Sequence, residues 1–219
     1  MKKIYYDAEF TGLRRETTLI SLGMFTEEGR SFYAEFTDYH ISQLNDWIRT
    51  NVVDKLKFNS RDNFISSTVK PEDRDSHLVK RSVEMKGTSA EIRKELLAWL
   101  KEESRNSVWT SDPEKANLMI MTDCYAYDWM LLVDLLTDNI PGGTALDMPG
   151  FIYYIPIDLS TYLWSLELDP DICREAFAEI REPDCQTLKH NALWDAQVVK
   201  ACFDWCNQIS AKRKRGDYR

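Results

Sequence analysis

Histidine is scarce in this chain, with three in 219 residues. Paired thiols are lacking altogether. The five cysteines (Cys124, Cys173, Cys185, Cys202 and Cys206) are odd in number, widely spread and free of any C-x-x-C pair. Free thiols in a cytoplasmic protein fit this better than a disulfide framework or a cysteine zinc site. Cys202 and Cys206, four apart on one face of a predicted helix with no histidine nearby, are expected to pack in the core. No apolar run approaches the ~20 residues of a membrane-spanning helix. The first residues lack the shape of a signal peptide. The expectation is a soluble, cytoplasmic protein that does not touch a membrane. Internal repeats and low-complexity tracts are also lacking. So is positive charge: 28 Lys and Arg stand against 36 Asp and Glu, a net charge of −8. The surface as a whole should repel a polyanion. Any nucleic-acid site must be a local patch or carry its own cationic counter-charge.

What is present suffices for one sizeable core and is too little for two comfortable domains. The reading is a single domain over 1–209 and a basic C-terminal tail over 210–219. The tail's Lys212-Arg213-Lys214-Arg215 is either a solvated, frayed end or a polyanion-capturing patch. Strands are predicted over 2–8, 17–26 and 30–36, with Glu27-Glu28-Gly29 as the turn of a hairpin. Ile41, Leu44, Trp47, Ile48, Val52 and Leu56 predict a helix over 41–56. Residues 57–87 are polar and weakly periodic and read as an insertion or long loop. Thr88-Ser89-Ala90-Glu91 resembles a capping box opening a helix to about Glu103. Short strands follow at 107–110 and 117–122, then a helix over Tyr125–Asp138. An extended stretch is predicted at 151–157, short helices at 159–167 and 171–180, and a last helix from Asn191 to Ile209. Strands first and then strands mixed with helices predict a three-layer α/β domain around a mixed sheet.

Acidic residues interrupt the apolar runs at four places. Asp7 and Glu9 are two apart in a strand, so they project from one face. Their repulsion calls for a shared cation, unless the face is a solvated sheet edge. Thr11-Gly12-Leu13 marks a turn at that strand's C-terminal end, where open α/β sheets place ligands. Asp128 precedes Leu131, Leu132 and Leu135 at helical spacing, which puts it on a buried face. A buried, unpaired carboxylate must find a cation or a proton. A contact with the helix N-terminus is the alternative. Asp195 repeats the pattern ahead of Val198, Val199, Cys202 and Cys206. His190 lies five residues earlier, about 140° away around a helix. It therefore belongs on the loop before that helix, with Asn191 or Lys189 near the cap. There it is either an ordinary exposed histidine or a base beside a metal carboxylate.

In order, D-x-E, Asp and H-x4-D resemble the DEDDh 3′→5′ exonucleases of the DnaQ-like, ribonuclease-H-type superfamily. Asp7-Ala8-Glu9-Phe10-Thr11-Gly12-Leu13 resembles its first motif and Tyr127-Asp128-Trp129-Met130-Leu131-Leu132 its second. His190-Asn191-Ala192-Leu193-Trp194-Asp195-Ala196 resembles the third. The segments Tyr5–Phe10, Leu19–Gly23, Glu28–Arg30, Trp47–Thr50 and Lys55-Leu56 resemble more closely the mycobacterial exoribonuclease branch. The resemblance implies a ribonuclease-H-like fold, a homodimer and hydrolysis at RNA 3′ ends, single-stranded or overhanging. It also implies two Mg²⁺ or Mn²⁺ ions, about 3.5–4 Å apart in such sites. Asp7 would bridge them, Glu9 and Asp195 would complete one shell, and Asp128 would help hold the other ion. His190 would take a proton from water, and the product would be a nucleoside 5′-monophosphate. All-carboxylate ligation favours a hard ion over zinc.

Phe10 and Leu13 would either stack or wedge the terminal base or pack in the core. Backbone groups of Thr11 and Gly12 would approach the terminal ribose, whose 2′-OH separates RNA from DNA. This chain departs from the family in extra polar residues at 57–87 and 111–118. It also carries Asp123 where many relatives have an asparagine-containing loop. Three other readings stand beside the exoribonuclease: a DNA exonuclease of the same fold, a phosphodiesterase acting on short oligonucleotides, and a non-catalytic nucleic-acid-binding module.

Overall fold

A computed structural model describes residues 1–58, 64–69, 81–105, 116–138, 140–180 and 188–216. Seven strands form one mixed sheet: β1 (Lys2–Phe10), β2 (Leu19–Thr26), β3 (Ser31–Phe36), β4 (Phe64–Val69), β5 (Arg81–Gly87), β6 (Leu118–Thr122) and β7 (Ile157–Asp158). Their order across the sheet is β4-β5-β3-β2-β1-β6-β7. β1 to β3 form an antiparallel meander, β6 and β7 add parallel to β1, and β5 adds parallel to β3. Helices cover both faces: α1 (Asp46–Asn51), α2 (Ser89–Arg105), α3 (Tyr125–Thr137), α4 (Leu159–Ser165), α5 (Arg174–Phe177) and α6 (Ala192–Arg215). This is the three-layer, ribonuclease-H-like α/β arrangement that the sequence predicts.

The two faces of β1 diverge because side chains alternate along a strand. Ile4, Tyr6 and Ala8 join Leu22, Met24, Phe32 and Ala34 against α2 and α3. Tyr5 turns the other way, into a cluster with Leu159 and Leu163 of α4 and Val198, Cys202, Phe203 and Cys206 of α6. Cys202 and Cys206 are fully buried there, as packing predicts. Asp7 and Glu9 have the parity of Tyr5, so they emerge on the α6 face, at the C-terminal end of β1.

Four spans differ from the sequence reading. The stretch 57–87 is no continuous loop: it contains β4 and β5, and their cross-strand pairing from Phe64↔Lys86 to Val69↔Arg81 extends the sheet. The single helix expected over 41–56 is broken into a 3-10 turn, α1 and a second 3-10 turn. The side chain of Asn45 accepts from the Ile48 amide and restarts the helix inside that stretch. The last helix continues past Ile209 to Arg215, so Lys212–Arg215 form its final turn and not a separate frayed tail. Cations are favourable at a helix C-terminus, and Gly216 closes the helix with φ of 78°. Between 171 and 180 only Arg174–Phe177 is helical. The predicted strand at 107–110 and the cysteine at 185 lie outside the described residues. Among the described residues, no helix is long and apolar enough to cross a membrane.

Candidate active site

Three elements bring the predicted acids together. β1 supplies Asp7 and Glu9, α3 supplies Asp128, and α6 with its preceding loop supplies Asp195 and His190. The approach of α6 depends on a missing side chain. Gly23 pairs with Asp7 across β1 and β2, and a Cβ at Gly23 would stand 2.3 Å from the Ala192 carbonyl oxygen. Only glycine there lets the first turn of α6 lie directly on the sheet.

Asp7, Glu9, His190 and Asp195 line one cleft of about 330 Å³. Ligand atoms of Glu9, His190 and Asp195 lie within 4.8 Å of one another. His190 Nδ1 is 3.7 Å from Glu9 Oε1, and the His190 backbone N–H donates to Asp195 Oδ2 at 2.8 Å. Asn191 is the N-cap of α6, accepting from the Trp194 amide, which leaves His190 on the loop as predicted. Asp128 is buried and does not itself line the cleft. One of its oxygens accepts from the Thr122 hydroxyl at 2.8 Å and from the Cys124 amide at 3.3 Å.

The electrostatics follow from burial and crowding. Burial, then the charges of Asp128 and Asp195, hold the Asp7 carboxyl well above the usual carboxylate range. Burial pushes Asp128 up to about 8, against the Thr122 and Cys124 hydrogen bonds. Burial and then Glu9 push Asp195 up to about 7. The nearby cations are engaged elsewhere. Arg174 makes two hydrogen bonds to Asp123, at 2.8 and 2.7 Å, and Lys189 faces Glu175 at 3.6 Å. Among the described residues none of Asp7, Glu9, Asp128 or Asp195 pairs with a lysine or arginine. Four carboxylates sharing so little positive charge match the donor set of a hard divalent cation.

The turn after β1 divides its residues. Phe10 stacks on Tyr127, with ring centroids 5.3 Å apart, and packs against the core. Thr11 is fully buried; its N–H bonds the Thr18 carbonyl and its hydroxyl bonds Gln43, so both groups serve the turn. Gly12 has φ of 138°. Leu13 is 75% exposed and stands free beside the cleft's strand.

Several residues in and around the cleft had no role assigned from the sequence. Asp123, whose role the motif pattern left open, anchors Arg174, and Arg174 also holds the Ile172 and Pro170 carbonyls and the Ser160 hydroxyl. This pair fixes the wall formed by 170–175. Nothing local marks Arg174 in the sequence, because its partner is 51 positions away. Trp47, on α1, sets its ring edge-on to His190 at 5.0 Å.

No family model matches the chain. Two curated proteins, both named 3′-5′ exoribonuclease, from Mycobacterium tuberculosis strains CDC 1551 / Oshkosh and ATCC 25618 / H37Rv, are each 37% identical to it over 54 residues. The match covers 25% of this chain and spans about a third (32%) of each relative.

Proposed function

We propose that this chain is a metal-dependent 3′→5′ exoribonuclease of the DEDDh type. The observation that carries the reading is the convergence of Asp7, Glu9, Asp195 and His190 on one cleft, with the charge of the buried Asp128 acting on Asp7. The partial likeness to two proteins named as exoribonucleases agrees with it. Asp7, Glu9, Asp128 and Asp195 would hold two ions, Mg²⁺ or Mn²⁺, since their donors are all hard oxygens and their charge is otherwise uncompensated. Bound there, the ions would acidify a water and neutralise charge on the leaving 3′ oxygen.

The chain's own residues then have defined tasks. His190 stands on the rim with its Nδ1 toward Glu9. Its imidazole accepts a proton from the attacking water, and the neighbouring carboxylates stabilise the imidazolium that results. Water oxygen bonds to phosphorus, the bond from phosphorus to the 3′ oxygen breaks, and a proton ends on that oxygen. The product is a nucleoside 5′-monophosphate. Leu13 would press on the terminal base, and the 170–175 wall would confine the strand.

The substrate is a single-stranded or overhanging RNA 3′ end. A second copy of the chain is the expected partner, and Trp164, 70% exposed on α4, is a candidate contact. The test is hydrolysis of a 5′-labelled RNA and a matched DNA with Mn²⁺. The expected result is a ladder shortening one nucleotide at a time on RNA, silenced by EDTA. Internal cuts, or full activity in chelator, would refute the assignment.

A further inference from the structure

His190 has φ of 67°. That left-handed region is uncommon for a residue other than glycine, and it persists only where the surroundings hold it. Part of the hold is local: the His190 amide donates to Asp195 Oδ2 at 2.8 Å. The rest comes from a segment 134 positions away, where Lys55 Nζ donates to the Lys189 carbonyl at 3.0 Å. The Lys189 carbonyl and the His190 N–H belong to one planar peptide unit. That unit is therefore gripped at both ends, an ammonium on its oxygen and a carboxylate on its N–H. Both charges match the peptide's own dipole, and both bonds are charge-assisted. Trp47 adds a third contact. Its ring meets the His190 imidazole at 5.0 Å and 76°, nearly perpendicular.

Trp47 and Lys55 reach the His190 loop from one stretch, α1 and the 3-10 turn Val53–Lys55. That stretch is fastened to the sheet on both sides of Lys55. Before it, Ile48 and Val52 are buried against Ile20 of β2. After it, the Lys57 and Phe58 amides donate to Glu35 Oε1 at 2.6 and 3.1 Å. Glu35 is fully buried on β3, and the Tyr33 hydroxyl donates to the same oxygen at 2.9 Å. The lysine stem thus starts from fixed backbone, and its ammonium ends on the one peptide whose tilt sets φ at His190.

We propose that Lys55 is a positioning residue: it grips the Lys189–His190 peptide and, with Trp47, keeps the imidazole in its strained, cleft-facing conformation. The catalytic consequence rests on the exoribonuclease reading; the conformational one does not. Lys55→Met keeps most of the stem and deletes the ammonium, and Lys55→Arg keeps a charged donor. Lys55→Met should lower turnover about tenfold, the scale of one charge-assisted hydrogen bond on a barrier. Lys55→Arg should recover most of that loss. KM for RNA and Mn²⁺ affinity should stay unchanged, because the grip is on backbone. In a His190→Ala background Lys55→Met should reduce turnover no further, an outcome that a general loss of stability would not give. Lys3→Met is the control. It removes the same charge from a surface pair with Glu27, toward the opposite end of β1 from the cleft, and should leave turnover normal.

Amide hydrogen exchange read by NMR is the arm independent of activity. The His190 amide should exchange at least several-fold faster in Lys55→Met and near the wild-type rate in Lys55→Arg, with β2 amides unaffected in both. Wild-type exchange at His190 in Lys55→Met would overturn the proposal. So would an undiminished turnover loss in the His190→Ala background. A raised KM with turnover intact would overturn it too, and would make Lys55 a contact to RNA instead. A wild-type protein that cleaves no RNA would sink the exoribonuclease reading alone, and the exchange result would still decide the positioning role.

Discussion

A carboxylate out of water needs a cation or a proton, and the candidate site makes that choice measurable. Asp128 and Asp195 have folded-state values near 8 and 7, while an unfolded chain titrates its aspartates near about 4. Between those limits the folded state holds protons that the unfolded state has released. Metal-free protein should therefore lose stability as pH rises from about 4 toward 8. Thermal melts in EDTA should fall across that window, Asp128→Asn should flatten the slope, and saturating Mn²⁺ should remove it. A melting point that climbs with pH would contradict the crowding argument. His190→Ala should lower turnover by about 10²–10⁴, the usual contribution of a positioned base. Mn²⁺ binding should persist, and His40→Ala should behave as wild type. These residues were legible because each acid opens or interrupts an apolar pattern. Asp123 and Arg174 were not, since a contact 51 positions long leaves no local trace.

At the scale of elements, the decisive contact is between β2 and the first turn of α6. Gly23→Ala would drive a Cβ into the Ala192 backbone. Overpacking of this kind costs about 1–3 kcal/mol. Here it should also lift His190 and Asp195 off the sheet. The expected outcome is a lower melting point together with a turnover loss larger than the stability change explains; wild-type turnover would show that α6 tolerates the shift. The periodicity of α3 and α6 was readable because their apolar stripes match 3.6 residues per turn. The strands β4 and β5 were not: the alternation of β5 is confined to Val83 and Met85 between Ser82, Glu84 and Lys86, too short a signal within a long charged stretch. β7, only two residues long, is a product of pairing with β6. Tyr33 and Glu35 share a face with Asp7 and Glu9, but only the cross-strand register reveals it.

Across the whole molecule, a net charge of −8 opposes RNA, so on the proposed reading binding would run through the cleft and the cations it would hold. Tyr162 and Trp205 pack within their own chain, the former stacked on Phe203 and the latter donating to the Ala178 carbonyl. Trp164 does not pack this way, and light scattering at micromolar concentration should return the mass of a dimer. Trp164→Ala should shift it toward monomer, and a wild-type monomer would remove the dimer from the account. The central claim is that four carboxylates from β1, α3 and α6 form a two-ion centre. Its most direct test is anomalous diffraction from crystals soaked in Mn²⁺ and a nucleoside 5′-monophosphate. Two peaks in the cleft, with Asp7 between them and Glu9, Asp128 and Asp195 around them, are the predicted result. A cleft without anomalous signal at saturating Mn²⁺, or peaks that avoid Asp7, would contradict it.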